Sequence, residues 1–113
     1  MSEIPEDPYL RKEYFTVQLY AATTDLKEAL AGNYRGEAED IVKDRIMKLP
    51  SAYLETLEIA VRGAGVEPGG FLGSDYHKIL ESAGLIWSTP SSSYWPTPMG
   101  TFVYECMMLL KAK

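Results

Sequence analysis

The sequence predicts a mainly α-helical domain with one small β-hairpin near its C-terminal end. Apolar residues recur at spacings of three and four through most of the chain, which is typical of amphipathic helices. After Gly84 this spacing gives way to two short apolar runs on either side of a serine-rich turn, which is typical of a hairpin. Apolar residues make up 46% and charged residues 24% of the 113 residues, a globular composition that excludes a disordered chain or a rod.

The N-terminal residues 1–9 are interpreted as a flexible leader, because prolines and acidic residues give this segment little to bury. Residues 10–113 then form a single domain. Its first helix is predicted from Leu10 to Ala31, and Gly32 ends it. The apolar face of this helix consists of Phe15, Leu19, Ala22, Leu26 and Ala29.

Two further helices are expected before the middle of the chain. The first runs from Gly36 to Leu49, with acidic residues in its first turn and basic residues in its second half, as the helix dipole favours. Pro50 ends it, and Ser51 is the expected N-cap of a helix that continues to Arg62. The glycine-rich run from Gly63 to Gly73 is predicted to be a loop.

The C-terminal third contains a helix, a hairpin and a final helix. Ser74 is the expected N-cap of a short helix that ends before Gly84. The hairpin strands are predicted at 85–87 and 94–95. Thr97 as N-cap and Pro98 as first helical residue open the last helix, expected over 98–112.

One segment, from Asp75 to Leu110, carries more information than the rest. Its pattern is Leu-Glu-x-x-Gly-Leu-Ile, a hairpin, then Tyr-x-Pro-Thr-x-x-Gly before a helix. The matching residues are Leu80, Glu81, Gly84, Leu85, Ile86, Tyr94, Thr97 and Gly100. This pattern resembles the second half of a winged helix-turn-helix domain, in which Leu is usual where this chain has Pro96. The resemblance implies a winged helix-turn-helix fold with extra N-terminal and C-terminal helices.

In that fold the segment Asp75–Ala83 is the recognition helix. The long loop before it departs from the usual turn of about three or four residues between the two helices. Two arrangements remain open. Either Ser51–Arg62 is the second helix followed by a stretched turn, or it is the first helix and the second has shrunk to a turn around Phe71.

The function that the resemblance implies most directly is that of a transcriptional regulator that binds double-stranded DNA. The candidate DNA-binding residues are Ser74, Tyr76, His77 and Lys78 in the helix and Ser91, Ser92 and Ser93 in the wing. Lys43, Arg45 and Lys48 either add phosphate contacts or complement the end of their own helix and pair with neighbouring carboxylates. The net charge of −5 opposes strong attraction to phosphate.

An alternative is a protein–protein interaction module with an aromatic, uncharged wing. No charged residue occurs from Ser82 to Tyr104, and Tyr76, Tyr94 and Trp95 are the candidate contact residues. Trp87 either joins this patch or fills the core under the wing. A third reading is an acidic inhibitor or nucleic-acid mimic, whose carboxylates on the second helix replace a row of phosphates.

A homodimer is also expected, because the last helix has apolar residues nearly all round and must be covered on most sides. The terminal helices, 10–31 and 98–112, are the candidate interface; the alternative is that they cover each other within one chain. The single histidine and single cysteine favour neither a metal site nor nucleophilic catalysis, so no enzyme activity and no cofactor are expected. The lone cysteine and short apolar runs favour a cytoplasmic protein with no membrane association.

Overall fold

The computed structural model describes residues 4–63, 74–89 and 94–112. It shows a mainly helical fold with a two-stranded antiparallel hairpin, as the sequence predicts. The elements are α1 (Pro8–Ala31), α2 (Arg35–Ile41) with a π-helical turn (Val42–Ile46), α3 (Ser51–Arg62), α4 (Ser74–Ser82), β1 (Ile86–Ser88), β2 (Tyr94–Pro96) and α5 (Pro98–Lys111). The turn around Phe71 and the wing tip lie outside the described residues, so the two arrangements before α4 stay open.

Helix α1 begins at Pro8, within the segment predicted to be a flexible leader. The Asp7 carboxylate accepts hydrogen bonds from the backbone N–H groups of Tyr9 (2.8 Å) and Leu10 (3.2 Å), so Asp7 is the N-cap. Pro8 has no N–H to leave unpaired at the first helical position. The prediction of a leader through residue 9 is therefore wrong for its last two residues.

The second predicted helix is present, but its C-terminal half is not α-helical. After Ile41 the backbone widens into a π-helical turn, in which the Met47 N–H donates to the Val42 carbonyl at 2.8 Å. Val42 and Ile46 are buried within this turn. The apolar spacing correctly predicts that Val42 and Ile46 are buried. It contains no signal that this turn is π-helical, with one more residue between hydrogen-bonded groups than an α-helical turn.

Helix α3 has the predicted bounds but not the predicted cap. Ser51 is its first helical residue, and Pro50 occupies the N-cap position, where no side chain caps the helix. Proline fixes the extended backbone at this position, and the Tyr53 N–H donates to the Pro50 carbonyl at 3.1 Å. The entry into α3 therefore depends on backbone geometry instead of a serine hydroxyl.

The connection between α4 and β1, a corner at Gly84 and Leu85, packs against the first turn of α5. Gly84 has φ +82°, which favours glycine, and the N–H groups of Gly84 and Leu85 close the end of α4 on the carbonyls of Glu81 and Leu80. The Thr97 N–H donates to the Leu85 carbonyl at 3.0 Å. The motif that suggests a winged helix thus includes residues that form one tertiary joint.

The side chain of Thr97 also connects α5 to this corner. The Thr97 hydroxyl donates to the Gly84 carbonyl at 2.6 Å and accepts from the Gly100 N–H at 3.0 Å. A Cβ atom on Gly100 would lie 2.0 Å from the Leu85 carbonyl oxygen, so only glycine permits this approach. Helix α5 then packs on α3, the π-helical turn and β2.

The core is shared by all the helices and the inner side of the hairpin. Its fully buried large side chains include Leu19, Leu26, Ile46, Leu57, Leu80, Leu85, Ile86 and Met107. Helix α1 packs mainly on α2 and the π-helical turn. Helix α5 buries Val103, Cys106 and Met107, and its main contacts are with elements other than α1.

Candidate interaction surface

The outer side of α4 presents three charged side chains, Asp75, Lys78 and Glu81, all of them exposed. Asp75 pairs with Lys12 of α1 across 3.2 Å, and Glu81 accepts hydrogen bonds from the backbone N–H (3.2 Å) and hydroxyl (2.6 Å) of Ser88. Glu81 thereby ties the end of α4 to β1. This face carries Lys78 as its one exposed cation between two carboxylates, within the described part of α4.

The histidine expected to contact DNA is in the core. His77 is 2% exposed, and its ring centroid lies 4.7 Å from that of Tyr94. It lies three residues before the buried Leu80, on the side of α4 that faces the hairpin. The expectation that the His77 side chain reaches a DNA partner at the surface is therefore wrong.

Tyr94 is also buried, which contradicts its assignment to an exposed aromatic patch. It is 7% exposed and pairs in the hairpin with Ser88. Burial raises the pKa of the Tyr94 phenol above its ordinary value, and the negative charge of Glu81 adds to this effect. The His77–Tyr94 ring contact is a structural link between α4 and β2, not a ligand surface.

Tyr76 is half-buried and belongs to a contact among three helices. Its ring meets that of Tyr53 edge to face at a centroid distance of 5.2 Å, and the Lys12 ammonium lies 4.6 Å from the Tyr76 centroid. The Tyr53 hydroxyl donates to the Lys12 carbonyl at 3.0 Å. Tyr76 thus packs α4 against α1 and α3.

The outer side of the hairpin carries the two tryptophans of the chain. Trp87 and Trp95 are directly opposed in the register, so their side chains share one face. They are 48% and 38% exposed, whereas Ile86 and Tyr94 next to them are buried. Trp95 thus lies at the surface as expected, and Trp87 joins it there instead of filling the core.

Of the remaining DNA-binding candidates, the structure describes the three basic residues of the second predicted helix. Arg45 pairs with Asp25 of α1 at 2.5 Å, not with the carboxylates of its own helix, while Lys43 and Lys48 are exposed. Ser91, Ser92 and Ser93 and the side chain of Ser74 lie outside the described residues. On α2, Glu39 pairs with Arg35 at 3.3 Å. This ion pair partly neutralises the row of carboxylates on which the nucleic-acid mimic hypothesis depends.

Groups that could support metal binding or catalysis are dispersed. In the described ranges no three side chains of His, Cys, Asp or Glu come close enough together to hold a metal ion. Cys106 is buried in α5, and burial raises the pKa of its thiol. A raised pKa keeps the thiol protonated at neutral pH, which is the opposite of an activated nucleophile.

Comparisons with family models, with curated proteins and with solved structures find no match to this chain. None of the helices described is long and apolar enough to cross a membrane. On the described strands of the hairpin, the exposed aromatic side chains are those of Trp87 and Trp95.

Proposed function

We propose that this chain is a winged-helix interaction module that binds a protein partner through the outer face of its hairpin. The observation that carries this proposal is the cross-strand pair of exposed indoles, Trp87 and Trp95. In this reading α4 occupies the place of the recognition helix and the hairpin is the wing. Both assignments rest on the resemblance and on the observed order of α3, α4, hairpin and α5.

The chemistry of this face favours protein over DNA. Tryptophan is enriched among the residues that contribute most to protein–protein binding, because its large ring buries much apolar area with little loss of side-chain entropy. Phosphate recognition requires several cations, and the sequence from Ser82 to Tyr104 has none. Lys78 on the adjacent helix is flanked by Asp75 and Glu81, so the local field is not positive.

The test is a capture experiment with the full chain carrying a photo-crosslinking residue at position 89, two residues after Trp87, so that both tryptophans are kept. A protein crosslinked from there should be identified, purified and titrated against the wild-type chain. Since both tryptophans lie on the proposed interface, binding should shift their fluorescence emission without any added label. The double variant W87A/W95A should weaken the complex at least about a hundredfold, because two hot-spot residues are removed.

The matched control is Leu109→Ala, which removes an exposed apolar side chain from α5 and is expected to leave the complex unchanged. Circular dichroism should show that W87A/W95A stays folded, as expected for half-exposed side chains. Equal affinity of W87A/W95A and the wild type for the crosslinked protein would overturn the proposal.

A DNA-binding regulator is the second candidate, favoured by the exposed Lys78 on α4 and by the resemblance. Fluorescence anisotropy with random duplex DNA at low and physiological salt tests it. Binding that weakens with salt and is lost in Lys78→Glu, but persists in W87A/W95A, would replace the first proposal with this one. Absence of binding at low salt would remove DNA as the partner.

A further inference from the structure

Helix α1 has an exposed face without the charges that usually occupy such a face. The helix is apolar or uncharged all round from Tyr14 to Thr24, yet it packs on the rest of the chain mainly through α2 and the π-helical turn. On its outer side Val17 is 61% exposed and Tyr20 is 36% exposed. Val17 and Tyr20 therefore form an exposed apolar strip between polar, uncharged residues such as Gln18 and Thr24.

Nothing in the described part of the chain covers this face. Next to it, toward α4, are two open clefts, one of about 620 Å³ beside Val17 and one of about 410 Å³ beside Tyr20. Their other walls come from α4, the Gly84 corner and the start of α5. Within the described residues, the face of α1 that lines these clefts is therefore accessible to another surface.

Two charges near the ends of this uncharged stretch, Glu13 and Lys27, can pair between two copies of the helix. At 100° per residue, Glu13, Tyr20 and Lys27 fall on one line along the helix, seven residues apart. If a second α1 runs antiparallel with Tyr20 opposite Tyr20, each Glu13 faces Lys27 of the other copy. Thr16 then faces Thr24, so the Tyr20 pair at the centre is flanked on both sides by small, uncharged side chains.

We propose that this face of α1 binds α1 of a second copy of the chain in an antiparallel pair about a two-fold axis at Tyr20. The interface is isologous: the same Glu13–Lys27 contact occurs twice, once at each end. It uses no residue of the hairpin, so the outer tryptophan face remains free in the dimer. This proposal is independent of the proposed function.

A charge swap tests both the interface and its direction. Sedimentation equilibrium of the full chain should show a dimer, and E13K or K27E alone should raise the dissociation constant about tenfold, because each creates two repulsive contacts. The combined variant E13K/K27E should return the constant to within about threefold of the wild type. In a parallel pair Glu13 would face Glu13, and the combined variant would not rescue the single ones.

Val17→Glu places a charge on the apolar part of the face, three residues from the two-fold axis, and should weaken the dimer about a hundredfold or more. The matched control, Leu109→Glu, changes an exposed apolar residue of α5 and should leave the dimer intact. A monomeric wild type, a dimer insensitive to Val17→Glu, or a failure of E13K/K27E to rescue would each overturn the proposal. Circular dichroism and thermal unfolding establish that the variants are folded.

Discussion

The two terminal helices open with the same device but are held in the molecule differently. Asp7–Pro8 begins α1 and Thr97–Pro98 begins α5, in each case with a side-chain acceptor as N-cap followed by proline. The Asp7 cap is local and exposed. The Thr97 cap is part of a tertiary joint, because its hydroxyl also donates to the Gly84 carbonyl.

This difference extends along both helices. At its solvent-exposed edges, α1 contacts other helices through the ion pairs Lys12–Asp75 and Arg45–Asp25. Exposed ion pairs contribute little to stability in water. The first turn of α5 instead contacts the backbone of the α4–β1 corner directly. The same capping sequence thus has only a local role in α1 and a tertiary role in α5. The following substitutions test this difference.

The largest effect is expected at Gly100. Gly100→Ala would place a Cβ atom 2.0 Å from the Leu85 carbonyl oxygen, and backbone cannot move aside as a flexible side chain can. We expect the free energy of unfolding to fall by about 3 kcal/mol, the upper range for overpacking. Urea denaturation with two-state analysis measures this change.

The matched control is Gly36→Ala near the start of α2, where an added Cβ would meet nothing within 4 Å. Alanine is the better helix former, so this variant should be more stable by about 0.5 kcal/mol. Similar stabilities for Gly36→Ala and Gly100→Ala would show that the α5 joint is not tightly packed.

The two N-caps should differ by a smaller amount. Thr97→Ala removes a cap and the hydrogen bond to Gly84, so it should lower the free energy of unfolding by about 2 kcal/mol. Asp7→Ala removes only the exposed cap, for about 0.5–1 kcal/mol. Thr97→Ser keeps both hydrogen bonds and serves as the control. If Asp7→Ala cost as much as Thr97→Ala, the two helix starts would be equivalent.

The smallest effect is a pH dependence at the contact between α1 and α3. Burial raises the pKa of the Tyr53 phenol, whose hydroxyl bonds to Thr16 and to the Lys12 carbonyl. The protonated form is favoured in the folded state, so this stability is fully present below the ordinary tyrosine pKa of 10.0. This stability is lost as the pH rises through the higher pKa that Tyr53 has in the folded state.

Urea denaturation from neutral pH to above 10.0 should show this loss, and Tyr53→Phe should make the decline shallower. The decline should not vanish, because burial also raises the pKa values of Tyr94 and Cys106. An unchanged slope in Tyr53→Phe would mean that the phenol of Tyr53 titrates alike in the folded and unfolded chain.

Local sequence signals predict most elements of this fold. Thr97–Pro98 and Gly84 mark the start of α5 and the end of α4 as expected, because caps and left-handed glycines act within a few residues. Asp7–Pro8 is the same signal as Thr97–Pro98, and reading it would have placed the start of α1 correctly. The π-helical turn after Ile41 has no such local signature.

The candidate interaction surface was less predictable, because residues next to each other in the sequence differ in whether they are buried or exposed. His77 is buried and Lys78 exposed, although either suits a binding helix, and Tyr94 is buried while Trp95 is not. The spacing of apolar residues along the sequence distinguishes the two sides of a helix or strand. It does not say which side another element will cover.

The sequence by itself determined the end of α4 and the start of α5, since these depend on hydrogen bonds and backbone angles among near neighbours. Only the tertiary structure decided which aromatic side chains face solvent. The hairpin sits with Ile86 and Tyr94 against the core, so Trp87 and Trp95 point outward. That choice depends on packing among residues far apart in the chain, which no local pattern records.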